Sequence, residues 1–231
     1  MKIAGLQKLT LLDYPKHIAC TIFTNGCNFC CPFCQNAPLV LHPHEQPQIT
    51  ELELFDFLKK RRGVLEGVCI TGGEPTLQTD LISFIDQIKE LGFLVKLDTN
   101  GYKPSILKEL IDTKKIDYVA MDIKNSKEKY GQTIGLDSFH LNNIEKSVEI
   151  LLVSDIPYEF RTTVVKEYHT PDDFLSIGKW LQGAKNYYLQ AFKDSGDLIK
   201  GGLHPLSKEE MLHIKDLLTS YIPQTSLRGT D

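Results

Sequence analysis

Residues 27–34 read CNFCCPFC, in which Cys27, Cys31 and Cys34 have the spacing C-x3-C-x2-C. Three thiolates on one short loop can bind three irons of a cubane iron–sulfur cluster, which ordinarily takes four cysteine ligands. One iron then has no protein ligand, and an open metal position is where a substrate can coordinate and react. Phe33, directly before the last cysteine, is placed to shield such a cluster from water. The spacing therefore predicts a [4Fe–4S] cluster held by these three cysteines.

The residues alone leave two other roles possible for these cysteines, a zinc site and a disulfide. Cys27/Cys30 and Cys31/Cys34 are C-x2-C pairs, as in zinc sites, but zinc knuckles normally lie about a dozen residues apart and these pairs are adjacent. A disulfide is the second alternative. Six cysteines in 231 residues without a secretory signal predict a reduced, cytosolic protein instead. We expect Cys30 to be a thiol that binds no iron.

Two further cysteines lie inside apolar runs, Cys20 within residues 18–23 and Cys69 within residues 68–70. Free cysteine behaves as a small buried hydrophobe in such surroundings, so both are expected to be core residues. No cysteine group then remains for a second cluster.

The composition predicts one soluble globular domain that spans residues 1–231, with 42% hydrophobic and 24% charged residues. A net charge of −4 argues against nucleic-acid binding, which needs a basic surface. The only basic run, residues 59–62, ends a predicted helix, where cations suit the helix dipole. No apolar stretch approaches the ~18 residues of a membrane span, so no membrane association is expected.

Apolar, β-branched runs alternate with amphipathic stretches along the chain. The apolar runs predict strands near residues 17–24, 67–71, 93–98, 116–123, 158–165 and 186–192. The amphipathic stretches predict helices near residues 50–62, 78–91, 104–114, 140–153, 171–181 and 207–218. This alternation favours parallel βαβ units. Periodicity alone leaves open a closed eight-stranded barrel, an open six-stranded barrel and a doubly wound sheet.

Polar residues follow the predicted strands at their C-terminal ends, where barrel enzymes carry their chemistry. Gly72 and Gly73 let a ligand approach the backbone closely, with Glu74 beside them. Alternation puts Asp122 and Lys124 on one face of a strand, where charged groups need partners or a ligand. A salt-bridge network of these two residues with Asp98 is the alternative.

Two more candidates lie on the last two predicted strands. Arg161 would face inward and could hold a ligand carboxylate, since a guanidinium suits bidentate pairing, and a surface ion pair is its alternative. Gln190 could contact a ligand, and a buried amide satisfied by the backbone is an equal alternative.

The cysteine spacing, with an aromatic residue before the last cysteine, resembles the signature of the radical S-adenosylmethionine (SAM) enzymes. The resemblance implies an α/β fold, the open (β/α)6 partial TIM barrel of the radical SAM type. It also implies that SAM chelates the open iron through its amino and carboxylate groups. Reductive cleavage of SAM then gives methionine and a 5′-deoxyadenosyl radical, with no catalytic residue needed beyond the cluster and SAM.

The resemblance extends to the SAM-binding residues. The segment Gly72-Gly73-Glu74-Pro75 resembles the one that binds the methionine amino group. The segments after the third and fourth strands resemble those of the glycyl-radical-enzyme activases, in which matching aspartates and a lysine contact SAM. The implied SAM residues are Gly72, Gly73, Glu74, Asp98, Asp122, Lys124, Arg161 and Gln190. A monovalent cation site is implied at Asp98, Thr99, Met121 and Asp122.

The two ends of the chain resemble one activase group, the anaerobic ribonucleoside-triphosphate reductase-activating proteins, in residues 7–15 and 226–229. The resemblance implies a glycyl radical enzyme as partner, with this reductase favoured, and a flavodoxin- or ferredoxin-like reductant. Cys30 stands where a basic residue is usual, and Gln35 where His often follows. The alternatives are a pyruvate formate-lyase-type activase, a deazaguanine synthase-like enzyme acting on a small molecule, and a non-catalytic electron carrier or iron–sulfur assembly protein.

Overall fold

The computed structural model describes residues 1–230, which form an α/β fold. The strands are β1 (Ile3–Thr10), β2 (Ala19–Thr24), β3 (Gly67–Gly72), β4 (Leu94–Thr99), β5 (Tyr118–Asp122), β6 (Tyr158–Val164), β7 (Tyr187–Ala191) and β8 (Thr225–Arg228). The α-helices are α1 (Ala37–Leu41), α2 (Glu51–Arg61), α3 (Leu81–Glu90), α4 (Pro104–Asp112), α5 (Tyr130–Ile134), α6 (Leu141–Leu152), α7 (Pro171–Trp180) and α8 (Lys208–Leu218). The eight strands belong to one sheet in which β1 is antiparallel to β2 and the other recorded pairs are parallel.

The six predicted strands are confirmed as β2 to β7, and the six predicted helices as α2, α3, α4, α6, α7 and α8. Two strands were not predicted. β1 precedes the first expected strand and pairs with β2, and β8 pairs with β7. The sheet therefore has two strands beyond the six expected for a (β/α)6 core.

The chain forms two compact units. The N-terminal unit comprises Met1–Asn28 and Pro38–Ala120, and the C-terminal unit comprises Phe29–Ala37 and the chain from Met121 onward. The prediction of a single domain over residues 1–231 stays a prediction. Among residues 1–230, no helix has both the length and the apolar character required to cross a membrane.

Rows of apolar side chains hold the strands of the N-terminal unit in register. Ile22 of β2 pairs with Ile70 of β3, which pairs with Leu97 of β4, and all three are fully buried. α3 buries the face Leu81, Phe84, Ile85 and Ile88, the i, i+3, i+4, i+7 spacing of an amphipathic helix. Because neighbouring parallel strands end at one edge of the sheet, the loops after β2, β3 and β4 start side by side.

The C-terminal unit uses the same construction. Thr162 of β6 pairs with Leu189 of β7, which pairs with Leu227 of β8, while Arg161 and Tyr188 occupy the other face. A capping box fixes the start of α7: the Asp173 carboxylate accepts hydrogen bonds from the backbone N–H and the hydroxyl of Thr170, both at 2.8 Å.

Candidate active site

The two glycines after β3 bring the backbone of that loop against the segment leading into the cysteine loop. The Gly73 N–H donates to Thr24 O at 2.8 Å, and the Glu74 N–H donates to Gly26 O at 2.8 Å. A Cβ on Gly73 would lie 1.9 Å from the Gly26 carbonyl oxygen, and Gly72 has φ +107°. Only glycine permits this approach. The β3 loop therefore positions Gly26, the residue before Cys27.

Glu74 is 1% exposed and its carboxylate is bound within its own unit. It accepts hydrogen bonds from the Thr76 N–H at 3.0 Å, the Thr99 hydroxyl at 2.7 Å and the Asn100 N–H at 2.7 Å, as well as from the Thr76 hydroxyl. Burial raises the pKa of Glu74, and these hydrogen bonds oppose that shift. The carboxylate thus joins the loop after β3 to the loop after β4. This geometry gives Glu74 a positioning role, and its predicted contact with SAM stays a prediction.

Asp98 of β4 is ion-paired with Lys96 on the same strand, and the Cys69 thiol donates to Asp98 Oδ1 at 3.6 Å. Lys96 is only 1% exposed, so its ammonium group needs a partner. Lys96 was not predicted as a site residue, although positions 96 and 98 share a strand face by alternation. The salt-bridge network that was the alternative for Asp98 contained Asp122 and Lys124, and it did not include Lys96. The implied cation site at Asp98, Thr99, Met121 and Asp122 stays a prediction.

The C-terminal unit brings together three of the predicted SAM residues. Lys124 Nζ lies 2.8 Å from Asp122 Oδ2, and Arg161 Nε donates to Asp122 Oδ1 at 3.0 Å. Burial alone would raise the pKa of Asp122, but Arg161 and Lys124 outweigh it and hold this pKa at about 2. Burial lowers the pKa of Lys124, and Asp122 more than offsets this, so the net shift is upward. Asp122 is thus an anion between two cations.

Lys124 also lies close enough to two predicted cluster ligands to influence them. Burial raises the pKa of the Cys31 thiol to about 12, and Lys124 acts against that shift. Burial likewise raises the pKa of Cys34, and Lys124 again opposes it. The Cys34 N–H donates to Cys31 O at 2.9 Å in a tight turn. The unit therefore places a cation beside two thiols that a cluster would convert to thiolates.

Phe33 is buried, 5.8 Å from the Tyr168 ring and 6.3 Å from the His169 ring between centroids. Cys30, next to the predicted ligand Cys31, donates its N–H to Ile134 O at 2.9 Å, which fixes the backbone of that turn. His169 was not predicted as a site residue. Its Nε2 lies 2.9 Å from Lys124 O, and burial lowers its pKa, so it is a neutral imidazole that supports the Lys124 backbone.

Gln190 lies on β7, level with Thr163 of β6 and Arg228 of β8. It is half-buried and lies on the strand next to the one that carries Arg161. The Arg228 guanidinium is 3.4 Å from the centroid of the Tyr188 ring and forms a bidentate pair with the buried Glu159, at 2.7 and 2.8 Å. The contact of Gln190 with SAM stays a prediction.

The residues around Cys27 fit an iron–sulfur cluster. The side-chain nitrogen and oxygen of Asn25 and the side-chain nitrogen of Asn28 are buried without a hydrogen-bond partner, and both residues flank Cys27 in sequence. Within residues 1–230, no three His, Cys, Asp or Glu side chains converge on a position for one metal ion. A cluster differs from a single ion, since each thiolate binds a different iron. Cys27, Cys31 and Cys34 form no disulfide, and such thiols beside buried amide groups suit a sulfur-rich, anionic cluster.

Residues 21–181 match the model of the radical SAM superfamily. The chain is 35% identical, over 98% of its length, to a Methanocaldococcus jannaschii protein proposed to be a glycyl-radical enzyme activating enzyme, and it covers 95% of that protein. It is 26% identical to the 7-carboxy-7-deazaguanine synthase of Thermoplasma acidophilum, over 68% of this chain and 71% of that one.

Its fold is similar to that of Streptococcus suis SuiB bound to the precursor peptide SuiA, with a TM-score of 0.68 and 17% identity. That match covers 90% of this chain and 48% of SuiB. Enzymes of the matched family use a [4Fe–4S] cluster and SAM, which confirms both predicted cofactors. The protein is a radical SAM enzyme and belongs to the radical SAM superfamily.

Proposed function

We propose that this protein is an activase for a glycyl radical enzyme. It would remove one hydrogen atom from a glycine Cα of a partner polypeptide and leave a glycyl radical there. The observation that carries this proposal is the 35% identity with the proposed activating enzyme of Methanocaldococcus jannaschii, which extends over 98% of this chain and 95% of that one. With its cofactors bound, the enzyme has a 5′-deoxyadenosyl radical as its hydrogen-abstracting group.

The residues of the chain would bind, orient and shield the cofactors. Cys27, Cys31 and Cys34 would hold the cluster. The backbone at Gly72 and Gly73 and the charged triad of Lys124, Asp122 and Arg161 would hold the methionine part of SAM, which carries both an ammonium and a carboxylate. Gln190 would contact the adenosine part. Opposite charges within the triad suit a zwitterionic ligand.

Deazaguanine synthesis is the second candidate, because one relative is a 7-carboxy-7-deazaguanine synthase. That likeness is weaker, at 26% identity over 68% of this chain, than the likeness to the proposed activating enzyme. We therefore favour a polypeptide substrate over a small molecule.

Among partners, we favour anaerobic ribonucleoside-triphosphate reductase over pyruvate formate-lyase, with a flavodoxin- or ferredoxin-like reductant in the cytoplasm. The support is the resemblance of the two end segments. The first of them carries Leu11 and Leu12, which are 68% and 88% exposed. The second overlaps β8, whose Arg228 donates to Glu159. An exposed apolar pair is a feature that a protein partner could cover.

The partner assignment is tested by electron paramagnetic resonance (EPR) after anaerobic incubation of the enzyme with SAM, a reductant and either glycyl radical enzyme. We expect a doublet, split by the remaining glycine α-hydrogen, on the reductase. A doublet on the lyase alone would support the sibling activase. Turnover of SAM with a small molecule, and no radical on either protein, would contradict the activase proposal and favour the second candidate.

A further inference from the structure

Asn100 directly follows β4 and is held by three hydrogen bonds, two of which involve its side chain. Its Oδ1 accepts from the Tyr102 N–H at 2.9 Å, and its Nδ2 donates to Asn28 Oδ1 at 2.9 Å. Its backbone N–H donates to Glu74 at 2.7 Å, and the residue is 5% exposed. These bonds leave the amide no other low-energy orientation. The second N–H of the side-chain amide can therefore donate a hydrogen bond to the group that it faces.

That group is a predicted cluster ligand: Asn100 Nδ2 lies 3.9 Å from Cys27 Sγ, within reach of an N–H···S hydrogen bond. Both residues belong to the N-terminal unit. A thiolate accepts hydrogen bonds more strongly than a thiol, because donors bind ionised acceptors better than neutral ones. Binding of iron, which converts Cys27 to a thiolate, would therefore strengthen this contact.

We propose that Asn100 is a positioning residue that tunes the reduction potential of the cluster through Cys27. Reduction adds negative charge to the cluster and its thiolates, and a fixed N–H donor stabilises the reduced form more than the oxidised form. Burial strengthens this effect, since water does not screen the donor. Removing the donor should make the cluster harder to reduce.

Asn28 supports the same inference from a separate observation. Its Oδ1 holds the Asn100 amide, while its own Nδ2 is buried without a hydrogen-bond partner. A buried donor without a partner costs free energy, so such a group indicates an acceptor that binds there. Asn28 follows Cys27 directly, and a cluster at Cys27 brings sulfur acceptors to this loop. The Cys27 corner of the cluster would thus be held by two asparagine amides.

The inference rests on the cluster of the radical SAM family and is independent of the partner and of the activase proposal. It is tested on the reconstituted holoenzyme, without SAM or partner, by potentiometric titration followed through the EPR signal of the reduced cluster. Asn100→Ser keeps an oxygen that can accept from the Tyr102 N–H but is too short to reach Cys27. We expect iron content to be unchanged. The reduction equilibrium should shift about tenfold toward the oxidised form. For a one-electron couple, this shift lowers the reduction potential of the cluster by ~59 mV.

Asn100→Ala serves as the matched comparison, since it loses both the donor to Cys27 and the bond to Tyr102. Equal shifts in the Ser and Ala variants assign the effect to the donor. A wild-type potential in the Ser variant, or a shift in the Ala variant alone, would overturn the proposal. If neither variant retains its cluster, Asn28→Ala decides the question: a shift in the same direction supports tuning by the asparagine amides at Cys27, and an unchanged potential contradicts it.

Discussion

Replacement of Cys27, Cys31 or Cys34 by alanine should abolish reductive cleavage of SAM. Each substitution removes the thiolate that binds one iron. A cluster with only two protein ligands has two open irons, so it no longer offers one defined position for SAM. We expect 5′-deoxyadenosine formation to fall to background in all three variants. Liquid chromatography of anaerobic reactions with dithionite and SAM measures this product, and iron and sulfide analysis reports the cluster.

Cys30→Ala is the matched control, because it removes a thiol from the same loop without removing a predicted ligand. The Cys30 backbone N–H bond to Ile134 O, at 2.9 Å, is unaffected by the change of side chain. Cleavage should therefore persist. If Cys30→Ala loses the cluster and Cys31→Ala keeps it, the assignment of Cys31 as a ligand is wrong.

Lys124→Ala should weaken SAM binding roughly thirtyfold or more while the cluster remains. Loss of one charged partner in a buried contact typically costs ~2–5 kcal/mol of binding free energy, and each ~1.4 kcal/mol is a factor of ten. The fold should tolerate the change, because Asp122 retains Arg161 at 3.0 Å. Titration calorimetry with SAM measures the affinity. Lys127→Ala is the control: Lys127 is paired with Glu145 at 2.5 Å, is more exposed, and should leave the affinity unchanged.

Glu74→Gln distinguishes a positioning carboxylate from one that binds SAM. A glutamine places an NH2 group where the carboxylate accepts from Thr76, Thr99 and Asn100, so one buried donor loses its partner. We expect about 1–3 kcal/mol less free energy of unfolding in urea. A variant with unchanged stability and much weaker SAM binding would instead assign Glu74 to the SAM contact.

The strands that sequence patterns predicted are those with continuous apolar character. β2 and β3 each begin with four consecutive buried residues, which give a strong signal. β1 was missed because the exposed residues Gln7 and Lys8 interrupt its pattern and it lies beside β2 only through long-range antiparallel pairing. β8 has four residues, and Arg228 contacts Glu159 and Tyr188 far along the chain, which no local pattern reports.

The site shows the same division between local and long-range signals. The cysteine spacing and the glycine pair are local features, and the structure places the glycines against the segment before Cys27. Asp122 and Lys124, which alternation predicted on one strand face, form an ion pair, although β5 ends at Asp122 and Lys124 follows it. The hydrogen bond from Asn100 to Cys27 joins residues 73 positions apart. Such a contact depends on tertiary packing and could not be inferred from spacing.

The most direct test of the activase proposal follows the glycine hydrogen atom itself. The partner enzyme is prepared with glycine deuterated at Cα and incubated anaerobically with this protein, unlabelled SAM and a reductant. Abstraction from glycine must place that deuterium in the product, so mass spectrometry should find one deuterium in 5′-deoxyadenosine, together with a glycyl radical on the partner. If SAM is cleaved but the 5′-deoxyadenosine carries no deuterium and the partner carries no radical, glycine is not the substrate and the protein is not an activase for that partner.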